Sequence, residues 1–284
     1  MDIFQALVLG LVQGLTEFLP VSSSAHLVFV PWLLGWDDKA ITSIQFDVAL
    51  HMGTLLAVLV YFAADWRRLI VAFFASVFER RIGDDPDRRL VWLIVLGTIP
   101  AALAGMLLEG SIDTVFHDPR NLRTGLLVIA VMMIVMGALL LVAERVGKRT
   151  IPIEGVRLPT AMAVGVAQAL ALIPGVSRSG STITAGLFAG LKRDAAARFS
   201  FLLSTPVVLA AGVKQVYDLT KEGGLPASDQ LGFFVGFVAS AVSGFLCISF
   251  LLRYLQRHST APFIWYRFMV GAALLALVLV GFRA

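Results

Sequence analysis

Two polar stretches interrupt an otherwise apolar chain, Gln13 to His26 and Gln168 to Thr182, and together they hold a carboxylate, hydroxyls, an imidazole and an arginine. Gln13 and Glu17 are four apart, so on a helix they share one face. Glu17 lies among Leu15, Phe18 and Leu19. An unpartnered carboxylate at membrane depth costs on the order of 3 kcal/mol or more, so an acid there is by default a metal ligand or a general base. The plainer alternative is an interfacial glutamate that reaches water. The run Ser22, Ser23, Ser24 after Pro20 then offers hydroxyls where a second short helix begins, and unpaired N–H groups at a helix start favour anions. Serines also cap helices routinely. His26, three residues after Ser23, adds an imidazole that could accept a hydroxyl proton or attack phosphorus itself.

The second stretch, Pro174 to Thr182, surrounds Arg178 with Ser177, Ser179, Ser181 and Thr182. An arginine carries a permanent charge and a donor fork that matches phosphate oxygens. Gly175 and Gly180 let the backbone approach a ligand closely. The competing reading is an arginine that snorkels to the interface. The expected catalytic set is Glu17, Ser23, His26 and Arg178, with Ser22, Ser24, Gly175, Ser177, Ser179, Ser181 and Thr182 binding substrate. Hard cations that bridge phosphates want carboxylate and amide oxygens, so Gln13 and Glu17 are the expected ligands of Mg²⁺ or Ca²⁺. Asp47 and His51 are also four apart, but at the outer end of a span, where an interfacial polar pair needs no function. They are expected to stand behind the substrate-touching residues at best.

Such residues need elements that hold them inside a bilayer. Of the 284 residues, 58% are hydrophobic and 15% charged, against about a quarter charged in soluble domains. Apolar blocks near 41–63, 90–108, 122–143, 198–217, 231–252 and 263–282 each meet the roughly 20-residue length of a membrane-crossing helix. Ile3 to Leu19 and Leu158 to Ile173 instead run into Pro20 and into Pro174-Gly175, and each is followed by a piece too short to span. Helix, break, helix at membrane depth reads as a re-entrant hairpin, tolerated only when buried in protein or lining water. The net charge of +4 is dispersed in loops, so nucleic-acid binding is unsupported. Cys247 is the only cysteine, so no disulfide framework or thiolate metal site is expected. Met1 to Ala6 lack the basic start of a signal peptide, so the N-terminus is expected to belong to the mature protein.

Lys and Arg favour the cytoplasmic side, and the segment from Asp65 to Arg89, rich in arginine, is assigned there as a loop. Alternation from it puts both termini outside, the first hairpin entering from outside and the second from inside. Gly10 and Gln13 recur as Gly165 and Gln168 at an offset of 155, and Ser22 returns as Ser177. The fold class expected is therefore an all-α polytopic membrane protein, six transmembrane helices and two re-entrant hairpins, in one domain over 1–284 with inverted repeats near 1–143 and 158–284.

These motifs resemble those of the undecaprenyl pyrophosphate phosphatases associated with bacitracin resistance. Gln13 and Glu17 match a pair spaced by four, Pro20 to Ser23 with His26 match a Pro-Val-Ser-Ser and His stretch, and Pro174 to Thr182 match Pro-Gly-x-Ser-Arg-Ser-x-x-Thr in full. Members often carry glutamate where this chain has Gln13. The resemblance covers essentially the whole chain. It implies hydrolysis of a C55 isoprenoid pyrophosphate to the monophosphate carrier lipid of cell-wall polymers, with a divalent cation, in a multi-pass protein of the cell membrane. The expected partners are that polyprenyl lipid and the bilayer, with a homodimer left open. The alternative activity is a secondary transporter or flippase for an anionic lipid or solute, because inverted repeats with broken helices are also a transporter architecture. A lipid phosphatase with two catalytic histidines is disfavoured, since the next histidine after Ser177-Arg178 is His258.

Overall fold

The computed structural model describes residues 1–116, 121–221 and 224–283. Among them all regular elements are helical, apart from one isolated bridge between Ile151 and Leu191. Helix α1, Ile3–Phe18, starts on Asp2, whose carboxylate accepts the Phe4 and Gln5 amides, and buries Ala6, Leu9, Gly10, Gln13, Gly14 and Glu17 along one face. Leu7, Leu11 and Leu15, on the opposite face, stay exposed. Leu19 turns extended and Pro20 follows, which ends the helix because proline cannot donate to it. Helix α2, Ser23–Leu34, runs to Gly35, whose left-handed conformation caps it. The chain continues through α3 (Ile44–Tyr61), α4 (Ala63–Phe78), α5 (Pro86–Phe116), α6 (Leu122–Val146), α7 (Leu158–Leu170), α8 (Arg178–Phe188), α9 (Arg193–Lys221), α10 (Ala227–Leu255) and α11 (Ala261–Leu279).

Among the described residues six helices, α3, α5, α6, α9, α10 and α11, are long and apolar enough to cross a membrane. They coincide with the six apolar blocks. Several extend beyond them, since helix continues past the hydrocarbon into charged ends such as Asp87 to Arg89 and Arg193 to Arg198. The Asp65 to Arg89 segment differs from its assignment as a loop. Its first half is α4, which buries Leu69, Ala72 and Ser76 and exposes Ile70, Val71, Phe74 and Phe78. At 16 residues with three charges in its first turns it falls short of the length criterion that finds spans. Beyond it the segment is held by ion pairs. Arg88 hydrogen-bonds Glu79 and so holds that carboxyl below its usual range.

Close helix approaches fix the two broken pairs. Helix α1 packs on α10 as α7 packs on α5. A Cβ at Gly14 would stand 2.0 Å from Ser243 Oγ, and one at Gly165 would stand 2.1 Å from the Gly97 carbonyl oxygen. Each pair also returns to the end from which it set out. The Asp2 amide donates to Asp38 beyond α2, and the Thr150 and Ile151 amides donate to the Gly190 carbonyl beyond α8. This arrangement is consistent with two hairpins entering from opposite ends.

Candidate active site

The two breaks are built alike. Ser22 and Ser177 are the N-caps of α2 and α8, with φ of 77° and 73°, a left-handed region that side chains seldom occupy. Each cap Oγ accepts the amide three residues on, from Ala25 and Gly180, and each lies 3.3 Å from the serine hydroxyl two residues on, Ser24 and Ser179. The residue immediately after the turn is Ser23 in one break and Arg178 in the other. Ser179 Oγ donates to the Leu19 carbonyl at 2.8 Å and ties the second break to the first.

Glu17 is where they meet. Its Oε1 accepts Arg178 Nη2 at 2.5 Å, and its Oε2 accepts the Ser23 hydroxyl and Gln13 Nε2, the latter at 3.1 Å. Three of the four residues expected to be catalytic are thus in direct contact. A carboxylate that is 5% exposed is tolerable here because it is paired with Arg178 and hydrogen-bonded at both oxygens. Two polar atoms at the centre remain buried without a partner, Gln13 Oε1 and Arg178 Nη1. Since Gln13 donates through Nε2, its free atom is an acceptor, and the free atom of Arg178 is a donor. One suits a cation or a proton donor, the other an anion.

The fourth expected residue, His26, is buried but hydrogen-bonds neither Ser23 nor Glu17. Its Nδ1 lies 2.6 Å from the Ser22 carbonyl oxygen and its Nε2 lies 2.7 Å from the Tyr266 hydroxyl. A carbonyl can only accept, so Nδ1 carries the proton, and Nε2 of the neutral ring accepts from Tyr266. Ser181 Oγ and Thr182 Oγ1 donate to the Arg178 carbonyl at 3.1 and 2.6 Å, and Thr182 also meets Ser200. They brace the first turn of α8 from behind. Gly175 has φ of 91° and packs on the Ile129 backbone. Ser24 is half-buried beside Ser22.

Two further residues reach the site, His51, expected to stand behind the substrate-touching residues at best, and Arg267, which the sequence motifs do not include. His51 Nε2 is 3.6 Å from Glu17 Oε2, with a side chain 31% exposed, so the imidazole stands between the carboxylate and the outside. Its position looked interfacial only because the depth of α3 relative to the α1 break is not written in the sequence. A narrow cleft lined by Phe18, Thr54, Arg178, Ser204 and Thr205 opens between α3 and α9. Arg267 is completely buried against both breaks. Its signal was present, a charge inside an apolar span.

The family model for the bacitracin resistance protein BacA matches residues 6–273. The chain belongs to the BacA family. It is 48% identical over 278 residues to a Thermomicrobium roseum protein named undecaprenyl-diphosphatase, covering 98% of this chain and 99% of that one. A Geobacter sulfurreducens protein of the same name is 48% identical over 276 residues, 97% and 98% of the two chains. The matched span of this BacA-family chain contains both breaks and all of the residues around Glu17.

Proposed function

We infer that this multi-pass membrane protein hydrolyses undecaprenyl diphosphate to undecaprenyl phosphate and inorganic phosphate. Membership of the BacA family and relatives of that name over nearly the full length support the activity. The observation that carries the mechanism is the Ser23 hydroxyl bonded to Glu17, whose other oxygen holds Arg178 from the second break. Ser23 Oγ attacks the terminal phosphorus in line, its proton passes to Glu17, and the bond to the bridging oxygen breaks to release the polyprenyl phosphate. Glu17 then returns that proton to Ser23 Oγ as water, giving one of its own protons to the vacated carboxylate, attacks the seryl phosphate. The P–Oγ bond breaks, inorganic phosphate leaves, Ser23 is restored, and Glu17 releases the remaining proton to solvent. Arg178 leaves part of its fork free for the phosphate, so charge that develops on the equatorial oxygens meets a fixed donor. The N-termini of α2 and α8 add unpaired amides to the same anion. Binding alone would need none of the proton-accepting geometry between Ser23 and Glu17.

A divalent cation belongs to the proposal. Among the described residues no group of three or more His, Cys, Asp or Glu could enclose a metal ion. The donor set nevertheless fits a cation carried largely by the pyrophosphate, as Mg²⁺ commonly is. The unpartnered Gln13 Oε1 and one Glu17 oxygen would hold it. When bound, it would supply neutralisation of the diphosphate charge. The proposed location is the plasma membrane, with the hairpins re-entrant from opposite sides.

The test is phosphate release from undecaprenyl diphosphate by purified protein in detergent, with and without chelator, beside Ser23→Ala. Wild type should release phosphate only with metal, and Ser23→Ala should lose at least about a hundredfold in kcat. A wild-type protein inert with metal overturns the activity. A fully active Ser23→Ala leaves water as the attacking group.

A further inference from the structure

Arg267 is a guanidinium with no exposed surface, and among the described residues its five hydrogen bonds all end on backbone carbonyls. Nε donates to Met133 at 3.1 Å, and Nη2 reaches Met132 at 3.3 Å, both on α6. The remaining three go to the breaks. Nη1 donates to Pro20 at 3.2 Å, and Nη2 donates to Gly175 at 2.7 Å and Val176 at 3.2 Å. Pro20 precedes the left-handed Ser22 turn, and Gly175 and Val176 precede the left-handed Ser177 turn. One planar group therefore spans from one break to the other. The preceding residue, Tyr266, reaches the first break by another route. Its hydroxyl donates to His26 Nε2, and His26 Nδ1 and amide N both bond the Ser22 carbonyl, at 2.6 and 3.3 Å.

We propose that Tyr266 and Arg267 are positioning residues for the hydrolysis, adjacent side chains of α11 that hold the two serine turns in register so that Ser23 faces the phosphate gripped by Arg178. The proposal rests on the reading of Ser23 as nucleophile and Arg178 as phosphate fork. Those two residues come from different hairpins, and each is the first residue after its turn. Their separation is thus set by whatever fixes the carbonyls just upstream. Arg267 does so directly on both sides, and Tyr266 does so through His26 on one. Turns with positive φ at serine persist only where their surroundings over-determine them. A buried charge is kept only when its donors are satisfied, so the guanidinium and the carbonyls hold one another in place. Lysine at 267 would keep the charge with a single donor centre, which cannot span the two breaks.

The experiment compares Arg267→Lys, Tyr266→Phe and Leu274→Ala, the last a packing change elsewhere on α11 that serves as the control for lost stability. Two readouts are taken, steady-state kinetics on undecaprenyl diphosphate and hydrogen–deuterium exchange of peptides covering the two turns. Arg267→Lys should lower kcat by about tenfold or more with KM little changed, since misplacement by about 1 Å costs attack geometry rather than binding. It should also speed exchange at both turns together. Tyr266→Phe should speed exchange only at the first turn, lower kcat by a smaller factor, and add nothing in a His26→Gln background. Leu274→Ala should change neither turn selectively. The proposal is overturned if Arg267→Lys leaves both turns as protected as wild type, or if Tyr266→Phe and His26→Gln lower kcat independently. A wild type without phosphatase activity would instead remove the assigned reaction, and the exchange measurement would still decide whether α11 holds the turns.

Discussion

Glu17 accepts from three side chains of different chemistry, and the roles of the neighbours follow from what each takes from it. Ser23 shares a proton with it, Arg178 neutralises it, and Gln13 contributes an amide that leaves a carbonyl oxygen free. Glu17→Gln keeps the size and removes the charge, so it should cost at least a hundredfold in kcat, about 2.7 kcal/mol of barrier. Gln13→Glu should retain activity and lower the metal concentration for half-activation, because added carboxylate charge favours hard cations. Arg178→Lys keeps charge without the fork and should lose at least about tenfold. Phosphate release titrated against metal for the three variants checks all of this, and a Glu17→Gln enzyme equal to wild type at saturating metal would leave Glu17 without a chemical role. Residue types at a break were enough to single out Glu17, Ser23 and Arg178 in the sequence, and the fold brings these three side chains into contact. What the types could not give is direction. His26 bonds Tyr266 rather than Ser23, and His51 approaches Glu17, because each depends on a helix distant in sequence that only packing brings near.

The breaks exist because two helices stop at proline-containing turns while their neighbours run on, and glycines let those neighbours come close. This part was legible. Apolar length and interruption by Pro20 and Pro174 set the spans and the broken helices, and both are properties of contiguous sequence. Helix α4 was not legible as a helix, since a 16-residue amphipathic segment beginning with charges matches neither a span nor a turn. The contact of α7 with α5 makes the element scale testable away from the reacting residues. An alanine at Gly165 would place its methyl 2.1 Å from the Gly97 carbonyl, which belongs to backbone and cannot swing aside. Gly165→Ala should therefore destabilise by about 1–3 kcal/mol, the usual cost of overpacking, and lower the apparent Tm in detergent. An unchanged Tm would mean that α5 and α7 are not locked at this crossing.

At the scale of the molecule, two ionic clusters mark opposite ends of the helix bundle. At one, the Met1 ammonium pairs with Asp229 at 3.1 Å and Asp38 at 3.5 Å, joining the N-terminus to the starts of α10 and of the α2 to α3 connection. At the other, Glu144 accepts Arg149, Arg193 and the Thr260 hydroxyl, joining the end of α6 to the starts of α9 and α11. Asp65 extends this end to α4 by pairing with Arg198. The spans alternate between the clusters in chain order. Arg67, Arg68, Arg80, Arg81, Arg88 and Arg89 all belong with the Glu144 end, and basic residues favour the cytoplasmic side. The Glu144 end should then face the cytoplasm and the Met1 end the exterior. Single cysteines at Arg81 and Lys221 in a Cys247→Ala background separate the alternatives, because Arg81 follows α4 and Lys221 closes α9 at the far end. In intact cells an impermeant maleimide should label Lys221→Cys and spare Arg81→Cys until the membrane is opened. Labelling of both from outside would break the alternation, and labelling of Arg81→Cys alone would invert it, bringing the first hairpin into the bilayer from the cytoplasm.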